Sequence, residues 1–275
     1  MTVSFWRTSF GKFIAEGDLM NEYFVKKANA VLRYNDFPGT EQPILFIHGL
    51  GCAGSFDYPQ VAAQEALAKH RCVIVDLLGS GYSDKPNDFG YTVQEHAEYL
   101  KEFVESIGLE SFILFGHSLG GAVALSLADQ CRERIDRIIL SEANLDKSDE
   151  GSSSKYIADF DRNEFLKNGF RELVEESRNS GNQMWAASLS LWSPRAAYLI
   201  CKSAAKGQQP SGREVLYSLD CPRTFIFGER SLPDADVQVL RAHGVTIEIV
   251  ENAGHSMAWE NPQGLAEAIQ KAIQA

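Results

Sequence analysis

No apolar run in this chain approaches the roughly 18 residues that a bilayer-spanning helix requires. The N-terminal stretch MTVSFWRTSFGKF lacks the long apolar segment of a secretory leader. Basic residues are in deficit: 26 Lys and Arg stand against 37 Asp and Glu, a formal net charge of −11. Nucleic acid and anionic membranes both need a basic patch, so neither is expected as a partner. The five cysteines (Cys52, Cys72, Cys131, Cys201 and Cys221) are odd in number, scattered, and without C-x-x-C spacing. That suits free thiols in a reducing compartment and argues against a disulfide framework or a zinc site. No H-E-x-x-H or similar metal motif occurs, so no metal and no cofactor is expected. Repeats and low-complexity tracts are missing too. These absences leave a soluble cytoplasmic protein as the expectation, with the substrate and the oligomeric state open.

What is present can build a core. Apolar residues make up 44% of the 275 and charged ones 23%, a globular balance that rules out a disordered chain. Short apolar runs rich in β-branched and aromatic residues occupy 43–48, 71–76, 111–116, 138–140, 224–228 and 245–250. Continuous runs of this kind suit strands covered on both faces. Helical patterns separate them, at 61–70, 92–107, 122–128 and 265–273. In the second of these Val93, Ala97, Leu100, Val104 and Ile107 fall at helical spacing, and Thr92 with Glu95 can form a capping box. Phe13–Ile14 and 30–34 are candidates for antiparallel strands at one edge. The alternation predicts an α/β fold.

One long stretch breaks the alternation. From 145 to 217 no buried strand is evident, while aromatics are frequent: Tyr156, Phe160, Phe165, Phe170, Trp185, Trp192 and Tyr198. Asp149 to Ser154 reads as a flexible loop leading into it. The stretch is expected to form a helical insertion over the C-terminal ends of the strands, with 1–144 and 218–275 as the core. Most of its aromatics are expected to pack, and a few to line a pocket, with Trp185 and Trp192 the candidates.

Gly116-His117-Ser118-Leu119-Gly120 matches G-x-S-x-G between an apolar strand and a helix start, the setting this motif requires. A serine hydroxyl is a weak nucleophile, so it has to stand exposed on a sharp turn within reach of a base. Flanking glycines let the backbone turn and approach its neighbours. About 70 residues earlier, His48-Gly49-Leu50-Gly51 follows the first buried run. The backbone N–H groups of Leu50 and Leu119 are the candidate oxyanion donors. His48 is read as a brace for that loop. His255, preceded by Gly254 on a loop after the last run, is the candidate general base. The other histidines, His70, His96, His117 and His243, read as surface or packing residues.

Together these residues resemble the α/β-hydrolase superfamily over nearly the whole chain. Asp76-Leu-Leu-Gly79-Ser-Gly81-Tyr-Ser83-Asp84-Lys85-Pro86 looks like the family's turn after its fourth strand, where Asp76, Gly79, Gly81 and Ser83 would be structural. The resemblance implies eight strands, mostly parallel, with helices on both faces and a helical cap between strands six and seven. It is closest to capped esterases, haloalkane dehalogenases and epoxide hydrolases. The last two use an Asp nucleophile where this chain has Ser118, which favours hydrolysis of a small-molecule substrate, a carboxylic ester or related small acyl compound, through an acyl-enzyme. The same triad acting on a C–C or cyanohydrin bond, or a low-turnover small-molecule receptor, stays open. The family's acid usually lies in a G-E-x-D pattern after strand seven, and here Gly228-Glu229-Arg230-Ser231 puts serine in its place. Glu142 is the first candidate, because Ser141-Glu142-Ala143 is similar to the strand-six acid of some haloalkane dehalogenases. Asp234 and Asp236, on a lengthened loop, are the alternatives.

Overall fold

Six apolar runs become the parallel part of one sheet. In chain order the strands are β1 (Asn21–Val25), β2 (Ala30–Phe37), β3 (Glu41–Ile47), β4 (His70–Asp76), β5 (Phe112–His117), β6 (Ile135–Ser141), β7 (Arg223–Gly228) and β8 (Thr246–Val250), in a computed structural model that describes residues 20–275. The candidate strand at Phe13–Ile14 lies outside the described residues. The order across the sheet is β1-β2-β4-β3-β5-β6-β7-β8. β2 pairs antiparallel with both β1 and β4, and every other pairing is parallel.

The pleat sorts successive side chains into two cores. Leu45, Ile47, Val73, Val75, Phe112 and Leu114 face one layer of helices. Their neighbours Ile44, Phe46, Cys72, Ile74, Ile113 and Phe115 face the other. The first layer holds the helices Val93–Ser106 and Leu119–Gln130, and the second holds Pro262–Gln274. Thr92 and Glu95 form the expected capping box.

A continuous helix over 61–70 does not form. Only Pro59–Ala62 is α-helical, a single tight turn follows at Glu65–Leu67, and β4 already begins at His70. Sheet pairing overrides local propensity there: Thr40 and Glu41 donate their N–H groups to the Lys69 carbonyl, and Glu41 pairs with His70.

Between β6 and β7 the regular elements are all helical, from Ser153–Asp159 to Gly212–Ser218. They form a cap whose apolar residues are continuous with the first of the two cores. Phe165 is fully buried, with the rings of Phe160, Phe170 and Tyr198 within 6.0 Å. Burying one such phenyl ring contributes about 2–3 kcal/mol. Tyr156, by contrast, is exposed. The C-terminal ends of β3, β5, β6 and β7 meet beneath this cap, as ligand sites of parallel sheets commonly do.

Candidate active site

Strand β5 stops where the chain turns sharply into the helix Leu119–Gln130. Ser118 makes the turn with φ 51° and ψ −126°, a conformation that costs an L-residue about 1–3 kcal/mol. Three backbone hydrogen bonds hold it there. The Ser118 N–H donates to Ser141 O at 2.9 Å, and Ser118 O accepts from Gly121 N at 2.9 Å and Asn144 N at 3.0 Å. The helix can lie this close to β3 only because residue 120 is glycine: a Cβ there would stand 2.2 Å from His48 O. Gly49 is confined less severely, since its Cβ would meet Ser118 Cβ at 3.0 Å.

Ser118, His255 and Glu142 form one chain of hydrogen bonds. Ser118 Oγ lies 3.1 Å from His255 Nε2, and His255 Nδ1 lies 2.6 Å from Glu142 Oε2. Glu142 continues the β6–β7 ladder by one bond, its N–H donating to Ile226 O at 3.0 Å, and then takes a positive φ of 39°. Its other carboxylate oxygen accepts the Gly228 N–H at 2.9 Å. Burial pushes the carboxyl pKa up, but hydrogen bonds from His255, Ser231 and Gly228 outweigh it, and the net direction is down. Glu142 is therefore ionised at neutral pH. It accepts the Nδ1 proton and leaves the Nε2 lone pair facing the serine. Ser231, standing where the family pattern has Asp, contributes a hydrogen bond to the Glu142 carboxylate.

The other two candidate acids are engaged elsewhere. Asp236 pairs with Arg213 at 2.8 Å, and Arg213 also holds Asp146 at 2.7 Å. Asp234 accepts the Asp236 N–H at 2.7 Å, at the start of the helix Asp236–Ala242.

Leu119 opens its helix, where the first N–H groups have no intrahelical acceptor. Leu50 faces it from the loop after β3, and both line a cavity of about 490 Å³ with Ser118, His255 and Asn144. Two cap indoles grip that loop by its carbonyls. Trp185 Nε1 donates to Leu50 O at 2.9 Å and Trp192 Nε1 to Cys52 O at 2.7 Å. Trp185 is also part of the cavity wall. Trp192 is not, contrary to expectation. It is only 4% exposed and stands edge-on to His48, because an indole buried that deeply takes its hydrogen bond from the nearest carbonyl and serves as a strut. His48 braces the same loop, donating from Nδ1 to Gly49 O (2.9 Å) and accepting the Leu77 N–H at Nε2 (3.0 Å). Burial lowers its pKa, which keeps it neutral. Asp76 is structural, accepting from Ser55 N and Oγ at 2.8 Å and from Tyr82 N at 2.9 Å.

Two further groups support the site: His117, which occupies a variable position of the G-x-S-x-G motif and reads from the sequence as a surface or packing residue, and Asp57, which no motif marks. His117 is buried behind His255, their ring centres 4.8 Å apart. Burial and the neighbouring His255 hold its pKa down at about 3. Asp57 is 3% exposed and ties the loop after β3 to the segment carrying His255 through Trp259 Nε1, at 2.9 Å. Burial pushes the Asp57 carboxyl up to about 8, although hydrogen bonds from Cys52 and Trp259 oppose this. A carboxyl whose pKa is raised on folding contributes stability that is full below its unfolded value near 3.8 and is lost as pH rises through about 8. Asp57→Asn removes that titration and keeps an acceptor for Trp259. Relative to wild type, the variant is expected to gain about 1 kcal/mol or more between pH 5 and pH 8, as read by urea unfolding at the two values. An unchanged difference would place the Asp57 pKa near that of an ordinary carboxyl.

Among the described residues no group of three or more His, Cys, Asp or Glu side chains is placed to hold a metal ion. No described helix is long and apolar enough to cross a membrane.

The sequence profile of the α/β hydrolase fold matches residues 42–217. Haloalkane dehalogenase 2 of Mycobacterium tuberculosis is 37% identical over 103 residues, which is 37% of this chain and 35% of the dehalogenase. The chain thus spans about a third of the length of the curated relatives it matches. Two solved structures superpose over nearly the whole chain. A thermophilic esterase from Thermogutta terrifontis gives a TM-score of 0.74 at 20% identity, covering 94% of this chain and 98% of its own. An esterase from Exiguobacterium antarcticum gives 0.76 at 16% identity, covering 92% and 99%.

Proposed function

Since the chain belongs to the α/β hydrolase fold family, we propose that it is a serine hydrolase that cleaves a carboxylic ester or related small acyl compound. Ser118 Oγ attacks the acyl carbon and passes its proton to His255 Nε2. Glu142 holds the Nδ1 proton and stabilises the imidazolium as it forms. The N–H groups of Leu50 and Leu119 receive the developing oxyanion. His255 then protonates the leaving alkoxide, water attacks the acyl-enzyme by the reverse sequence, and the acid departs. The observation that carries this reading is the unbroken hydrogen-bond chain from Ser118 through His255 to Glu142, at the wall of a cavity.

The dehalogenase likeness does not transfer its reaction. In the dehalogenases of this family the attacking group is an aspartate, and here the elbow carries Ser118. A hydroxyl nucleophile paired with a histidine suits acyl transfer.

A panel of p-nitrophenyl esters of increasing acyl length tests the reading. Wild type is expected to turn over at least part of the panel, and Ser118→Ala to lose about 10⁶ in kcat. Saturable binding of the same esters by wild type, with no release of nitrophenol above background, would favour a receptor.

A further inference from the structure

Four of the chain's twelve lysines, Lys147, Lys155, Lys202 and Lys206, line a single cleft of about 1170 Å³ between the cap and the core. A chain with a net charge of −11 is expected to repel anions, so this local concentration of cations runs against the overall field.

The carboxylates at the cleft neutralise only one of the four, Lys155. Asp146 is held by Arg213 at 2.7 Å, and Asp159 pairs with Lys155, which also lies 3.8 Å from Glu150. Lys147, Lys202 and Lys206 make no ion pair among the described residues, and Lys202 Nζ reaches only the Ala158 carbonyl, at 3.1 Å. Buried Val93, Ala122 and Leu145, with Leu199, make an apolar strip in the floor, beside polar Thr92, Gln94 and Ser203. Cations above an apolar strip match a molecule with an apolar body and an anionic end.

The cleft adjoins the nucleophile. Asn144 lines both this cleft and the cavity around Ser118, and its N–H donates to Ser118 O at 3.0 Å. Ala122, in the floor, lies in the first turns of the helix that starts after Ser118.

We propose that this cleft is a binding site for an anionic amphiphile, and that it takes the carboxylate or phosphate end of the substrate whose acyl group is delivered to Ser118. The substrate assignment rests on the serine-hydrolase reading. The anion site is a matter of charge and shape alone, which allows the two to be tested apart.

Binding is measured by calorimetry on the full-length Ser118→Ala protein, with decanoate, decyl phosphate and neutral decanamide as probes. Both anions are expected to bind about 10-fold more tightly than decanamide, with the preference shrinking as salt is raised. In the background of Lys147→Gln, Lys202→Gln and Lys206→Gln, all three exposed and so compatible with folding, the anions and decanamide should bind alike. Tighter binding of decyl phosphate than of decanoate would identify a phosphate end, and the reverse a carboxylate end. Equal binding of anions and decanamide before the lysines are changed, or an anion preference that survives their removal, would overturn the cleft.

A second arm compares p-nitrophenyl decanoate with the mono-p-nitrophenyl ester of sebacic acid, which carries a free carboxylate, using protein with Ser118 intact. The sebacate ester should show about a 10-fold lower KM, lost with the three lysines. Equal KM values despite charge-selective binding would overturn the substrate assignment. Hydrolysis of neither ester, with charge-selective binding intact, would overturn the hydrolase reading and leave an anion site.

Discussion

Glu142→Gln is expected to lower kcat on a p-nitrophenyl ester by about 10⁴, the loss seen in a serine protease when the triad acid becomes its amide. The geometry gives the reason. Glu142 Oε2 accepts the Nδ1 proton of His255 at 2.6 Å, and Gly228 occupies the other oxygen. In a glutamine side chain Oε1 keeps the Gly228 bond, because only an oxygen can accept it. The amide nitrogen then faces Nδ1 and donates. His255 must take the opposite tautomer, with a proton on Nε2 pointing at Ser118, and it can no longer serve as base. Asp234→Asn and Asp236→Asn are expected to stay within a few-fold of wild type, since Asp234 accepts a local backbone N–H and Asp236 pairs with Arg213. Steady-state kinetics, with folding checked by circular dichroism, separates the cases. Loss of turnover in Asp234→Asn alongside near-normal Glu142→Gln would move the acid to the loop after β7.

Gly120→Ala is expected to have the largest combined effect on stability and activity. The added Cβ would stand 2.2 Å from His48 O and 2.7 Å from both His48 C and Ile47 O. These are main-chain atoms at the end of the central strand β3, and no rotamer change relieves the contact. Overpacking of a rigid site costs about 3 kcal/mol. The helix that starts at Leu119 must move away from the loop that carries Leu50, so the two N–H donors separate as the fold weakens. A fall in the urea midpoint together with loss of turnover is expected. A variant with wild-type midpoint and rate would show that the helix does not need to lie so close to β3.

The parts of the fold that were legible in the sequence are those whose physics is local. Strands β3 to β8 announce themselves because β-branched and aromatic runs form wherever helices or neighbouring strands cover them, and the parallel core follows from the alternation. β1, Asn21–Val25, gave no such signal, since an edge strand exposes most of its side chains and its sequence shows no clean period. The 61–70 helix misled for the opposite reason. Its residues favour helix, and the pairing of Glu41 with His70 across the sheet decides otherwise.

The site divides in the same way. Ser118 is marked by its glycines and its strand–turn–helix setting, and His255 by chain order. Glu142 left a fainter mark, its place at the end of β6 and the serine at position 231. The structure brings the three together. Asp57 had no sequence signature, because its partner Trp259 lies 202 residues away. Nor does sequence distinguish Trp185, which walls the cavity, from Trp192, which is a strut. Both indoles bond main-chain carbonyls, and those are invisible in a pattern of side chains.

The central claim is that Ser118 is a nucleophile activated by His255. Its most direct test is covalent labelling by a fluorophosphonate, read by intact mass and peptide mapping. One label per chain on the peptide containing Ser118 is expected, none in Ser118→Ala, and a rate at least about 100-fold slower in His255→Gln. Protein that hydrolyses esters but takes no label, or carries it on another residue, would contradict the account.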